Sequence, residues 1–139
     1  MSQANKYPYN YINQTESITK AATINNGKAN VTASLINSAV WDRTLNWLEE
    51  TKIVTRTELF DSTSWGNYDN SQFNFIGKSS TNNGKSFFDG TQKTKNNSYL
   101  LGTGVTEYTK RNNIYDLAGN CDEWTTEVSP SNYQVIRGR

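Results

Sequence analysis

The stretch from Asp61 to Gly104 constrains this chain more than any other. It is polar throughout, punctuated by Gly66, Gly77, Gly84, Gly90, Gly102 and Gly104, and it carries rings at Trp65, Tyr68, Phe73, Phe75, Phe87 and Phe88. A connection of that length without regular structure counts against a compact domain unless something pins it down. Buried rings can do so, because each brings a large apolar area with few rotatable bonds to fix. Composition points the same way: 34% of the residues are hydrophobic and mean hydropathy is -0.80, yet 12% are aromatic. Disordered polar chains are poor in aromatics. The expectation is one folded, loop-rich domain over the 139 residues, a length with no room for a second core.

About a third of the residues are Asn, Ser or Thr, whose side chains compete for backbone hydrogen bonds and favour turns. Short elements separated by ordered loops are therefore expected. Three N-x-S/T sequons, at Asn13, Asn30 and Asn96, are what such a composition produces by chance.

Histidine is absent. Serine and cysteine triads, histidine-ligated zinc, facial-triad iron and haem all need imidazole near neutral pH, and none can be built from these residues. A lone Cys121 excludes an intrachain disulfide and any two-thiolate metal site. Lys and Arg number 14 against 13 Asp and Glu, a net charge of +1. The densest basic stretch, Lys78, Lys85, Lys93 and Lys95, is spread over a Gly/Ser/Asn loop and broken by Asp89, so no nucleic-acid stripe is present. No apolar run nears a membrane span and no signal-peptide pattern opens the chain, so a soluble protein is expected. Phage particle, bacterial surface and cytoplasm all stay open as locations.

Local patterns place the elements. Tyr7-Pro8-Tyr9-Asn10-Tyr11-Ile12 reads as an extended aromatic arm, because a residue before proline is pushed out of the helical region. Asn13 and Glu16 have capping-box spacing and predict a short helix with Ile18, Ala21 and Ala22 on its apolar face, ending near Gly27. Asn30 to Ile36 alternates loosely and predicts a strand. A stronger helix is expected from Ser38 to about Thr51, capped by Asn37 or Ser38, with Trp41 and Leu45 in the core. Ile53 to Leu59 either prolongs that helix after a break or begins a loop. Alternation returns at Tyr99 to Tyr108, and Tyr133 to Arg137 predicts a terminal strand.

Arg111-Asn112-Asn113-Ile114-Tyr115-Asp116-Leu117-Ala118-Gly119-Asn120-Cys121-Asp122-Glu123-Trp124-Thr125 closely resembles the signature of formylglycine-generating enzyme (sulfatase-modifying factor) domains. Tyr133-Gln134-Val135-Ile136-Arg137-Gly138 is similar to a second family landmark, and Asn37-Ser38-Ala39-Val40-Trp41-Asp42 to a third. The resemblance implies an α+β, C-type-lectin-like fold with two helices, short irregular strands and long ordered loops. It also implies a calcium site at Asn120 and Glu123, since family members hold calcium with the Asn and Glu of this motif. From the residues alone the same segment reads as a structural turn, with Asn and Glu satisfying backbone donors.

The departures bear on activity. The family's catalytic cysteine pair lies beyond the segment matched by Arg137-Gly138, and its iron-binding branches use histidines that this chain lacks. Cys121 stands where the family usually has a small apolar residue, which implies a buried, inert thiol. Either the family's closing segment is missing from this sequence, or the domain is remodelled to a shorter form. The expectation is a non-catalytic binding module of bacterial or phage origin, one that takes a protein or cell-surface ligand through polar, aromatic loops. Trp65, Tyr68, Phe73, Phe87, Phe88 and Tyr99 are the candidate contacts, each with an alternative role as a loop anchor. Two other readings are a fragment of a formylglycine-generating oxidase and a phage-borne inhibitor of a host protein. An uncovered strand edge would also permit self-association.

Overall fold

The computed structural model describes residues 6–25, 27–75, 92–96 and 99–138. It is a mixed α+β arrangement. Helices α1 (Gln14–Ala22), α2 (Ser38–Glu50) and α3 (Arg56–Phe60) precede three two-stranded antiparallel sheets. These pair β1 (Phe73–Asn74) with β2 (Gln92–Lys93), β3 (Lys110–Arg111) with β4 (Ile114–Tyr115), and β5 (Glu123–Val128) with β6 (Gln134–Arg137). Among the described residues no helix is long and apolar enough to cross a membrane.

The caps behave as their sequences predict. Asn13 Oδ1 accepts from Glu16 N at 2.9 Å while Asn13 N donates to Glu16 Oε2 at 3.0 Å. The face that α1 buries is not the expected apolar one, however: Gln14, Ser17 and Ala21 are buried, whereas Ile18 is 45% exposed. Gln14 decides this rotation. Its Nε2 donates to the carbonyls of Thr125 at 2.7 Å and Glu127 at 3.2 Å, fastening α1 to the outer edge of β5.

In α2, Asn37 caps by accepting from Val40 N at 2.9 Å, and the buried pair is Trp41 and Leu48, with Leu45 half-buried. Lys52 at φ 59 then reverses the chain, and Ile53 N and Val54 N both donate to Leu48 O. A second capping box, Thr55 with Glu58, starts α3, so Ile53 to Leu59 divides between a turn and a third helix beyond the two expected.

Residues 30–36 form no strand. Val31 is exposed, and the segment's one bond to a sheet is Thr126 N to Ile36 O at 3.0 Å, which covers an edge group of β5. Nor do residues 99–108 form one: Leu101 N and O are both taken by the Asn120 side chain, which substitutes for a ladder partner.

Rings and aliphatics gather in two cores. Leu48, Val54, Trp65 and Ala118 form the first, flanked by Leu59, Tyr68 and Leu117. Phe73, Phe75 and Leu101 form the second, flanked by Tyr99, Val105 and Tyr108. Phe73 stacks on Tyr108 with ring centroids 4.3 Å apart. Lys93 is fully buried beside this core, and its ammonium donates to the carbonyls of Tyr68, Asp69 and Ser71. A charged side chain thereby ties β2 to the loop before β1.

Candidate functional site

Pro8 and the left-handed Tyr11 (φ 56) carry the N-terminal arm across the molecule, and Trp124 Nε1 holds it by donating to Ile12 O at 2.7 Å. The arm, α1, residues 34–36 and the 121–124 turn enclose a cleft of about 370 Å³. Its walls are Tyr9, Tyr11, Ile12, Trp41 and Trp124, and Lys20 of α1 stands over the Tyr9 ring, 5.8 Å from its centroid. Asp122 and Glu123 supply two carboxyl groups, and Cys121 lies beside them.

Glu123 is the most perturbed group in the molecule. Burial, then the neighbouring charges of Asp122 and Asp116, push its carboxyl up to about 9. Oε2 is buried with no hydrogen-bond partner and lies against Gly138, whose lack of a Cβ makes room for it. Ser17 Oγ, on the α1 side of the cleft, is a second buried oxygen without a partner. Burial, reinforced by Glu123 and Asp122, raises the Cys121 thiol, so the thiolate is disfavoured.

The expected ring contacts fall elsewhere. Trp65 is 2% exposed, donates from Nε1 to Glu58 O at 3.1 Å, and is covered by the Arg111 guanidinium 5.0 Å from its ring. Phe73 is buried in the second core, and Tyr99 packs half-buried against the same core. Tyr68 is half-buried, shares a hydrogen bond with Ser62 Oγ, and lines a smaller hollow of about 240 Å³. Phe87 and Phe88 lie outside the described residues. Trp65 and Phe73 are thus placed as anchors with no ring face open to a ligand, and the four described rings do not converge on one site.

The Asn120 and Glu123 pair also divides. Asn120 Oδ1 accepts from Asn67 Nδ2 and from Leu101 N, both at 2.8 Å, and its Nδ2 donates to Leu101 O at 3.1 Å. Both lone pairs of that oxygen are spent, leaving none for a cation. Among the described residues no group of three or more acidic or thiol side chains is placed to hold a metal. As arranged, the residues do not fit calcium, and the motif's Asn works as a clamp between two loops.

The signal that sequence reading missed was already in the arm. Tyr9 and Tyr11 have the spacing of a strand reading outward, and Trp124 follows two acids, but nothing local tells that the arm would cross those acids. That placement depends on a hydrogen bond between residues 112 positions apart.

Compared with protein-family models, with curated proteins and with solved structures, the chain finds no match.

Proposed function

We propose that the chain is a non-catalytic binding module on a C-type-lectin-like plan, and that its ligand enters the cleft beneath the N-terminal arm. The observation that carries this reading is the composition of the cleft wall: rings of Tyr9, Tyr11, Trp41 and Trp124 around a space that also holds two carboxyls. Ligand sites are concave and mostly apolar, with a few polar groups that set orientation, and about 300 Å³ is their lower bound. Tyr11 is 86% exposed at the rim, where a large ring offers contact area at low entropic cost. The long loops, in this reading, serve to build the scaffold, and the arm supplies the recognition surface. The fold plan and the bacterial or phage setting rest on the resemblance of residues 111–125 and 133–138.

The test is a fragment screen read by amide chemical shifts of the labelled protein. Hits should shift residues 9–12, 17–24 and 121–124, and Tyr11→Ser should weaken them with melting unchanged. Hits that cluster on another surface would overturn the assignment.

A further inference from the structure

The chemistry of the cleft narrows its ligand, and the following rests on the cleft being the binding site. Two acids, Asp122 and Glu123, line it against one base, Lys20. The one cation the chain brings there is laid over an aromatic face, that of Tyr9. Two oxygens in the lining, Ser17 Oγ and Glu123 Oε2, are buried and lack a donor, and Ser17 as a whole is only 6% exposed. Buried oxygens without donors are costly, and a bound N–H group relieves that cost. The walls between are apolar and aromatic, suited to a methylene stem and to the charge at its end.

We propose that the cleft receives the side chain of a lysine presented by a protein partner. Its ammonium would meet the carboxyls of Asp122 and Glu123, and its stem would lie along the rings of the arm. A space of about 370 Å³ holds one long side chain, and the exposed Tyr11 at its rim is placed to meet the partner's backbone. The proton that neutralises Glu123 in the free protein is displaced by the incoming charge. Specificity against neutral side chains follows, because an uncharged group leaves the acids unpaired.

The experiment is a shift titration of the full chain with Nα-acetyl-lysine-N-methylamide, its norleucine analogue, which lacks the ammonium, and n-butylammonium, which lacks the backbone. The lysine compound should bind about tenfold more tightly than the norleucine compound and more tightly than butylammonium, shifting residues 121–124. The exposed Asp122→Asn should cut that preference several-fold, with melting unchanged, and Glu123→Gln should do the same. Equal binding of lysine and norleucine compounds would overturn the ammonium assignment and leave the cleft standing as an apolar site. Butylammonium binding as well as the lysine compound would replace the protein partner with a free amine. An unchanged preference in both variants would also overturn the proposal, and no shift in the cleft with any probe would sink the proposal and the cleft reading together.

Discussion

Asn67 and Asn120 are joined side chain to side chain, Nδ2 of the first donating to Oδ1 of the second at 2.8 Å, while Asn67 Nδ2 also donates to Tyr99 O and Asn120 holds Leu101 on both sides. Their backbones are bonded too, Asn120 N to Asn67 O at 2.8 Å and Asn67 N to Ala118 O at 3.1 Å. Three segments distant in sequence meet at this pair, which does locally what a sheet would do in a more regular protein.

Asn120→Ala removes the side-chain bonds to Asn67 and Leu101, strands buried partners, and puts Ala at a left-handed φ of 67. It should destabilise the fold by about 3 kcal/mol in urea denaturation. Because the oxygen is spent on N–H donors, calcium or a chelator should leave the wild-type melting temperature where it is; a rise with calcium would contradict the clamp.

Gly119 sits at φ 70, and a Cβ there would lie 2.5 Å from Asn67 O. Backbone strain and a backbone clash coincide, so Gly119→Ala should lose the cooperative melting transition or drop it by more than Asn120→Ala does. Equal stability to wild type would show that the Asn67–Gly119 approach is not as close as described.

Lys93 puts a buried ammonium against three carbonyls. Lys93→Met keeps the stem and removes the donors, and should cost about 3 kcal/mol. Proteolysis between residues 66 and 75 would report the same loosening.

Glu123 titrates near 9 in the folded chain against an ordinary 4.5. The folded state binds the proton more tightly, so this group's contribution to stability is fully present below pH 4.5 and is lost as pH rises through about 9. Across that window the slope should approach about 1.4 kcal/mol per pH unit, and Glu123→Gln should flatten it. An unchanged slope in the variant would mean that another group carries it.

Much of the local structure was legible from sequence, and the reason is physical: caps are short-range chemistry. Asn13 with Glu16 and Asn37 before Val40 state where helices start, and Gln134 to Arg137 states a strand. The α1 face was not legible, because Gln14 is buried by carbonyls of β5 and not by its own periodicity. Asn30 to Ile36 and Tyr99 to Tyr108 alternate as strands do but lack partners; a single backbone bond and the Asn120 side chain hold them instead. The candidate site was the least legible. Ring spacing identifies aromatics that matter without saying whether they face inward, as Trp65 and Phe73 do, or line a cleft, as Tyr9 and Trp124 do.

The central claim is that rings of the long connection hold the fold while those of the arm meet the ligand. Melting and binding of Nα-acetyl-lysine-N-methylamide, measured side by side on Phe73→Ala and Tyr11→Ser, test it most directly. Phe73→Ala should lose about 4 kcal/mol of stability, and Tyr11→Ser should melt with wild type while its affinity falls several-fold. A Tyr11→Ser protein that binds as wild type does, or a Phe73→Ala protein that melts as wild type does, would contradict it.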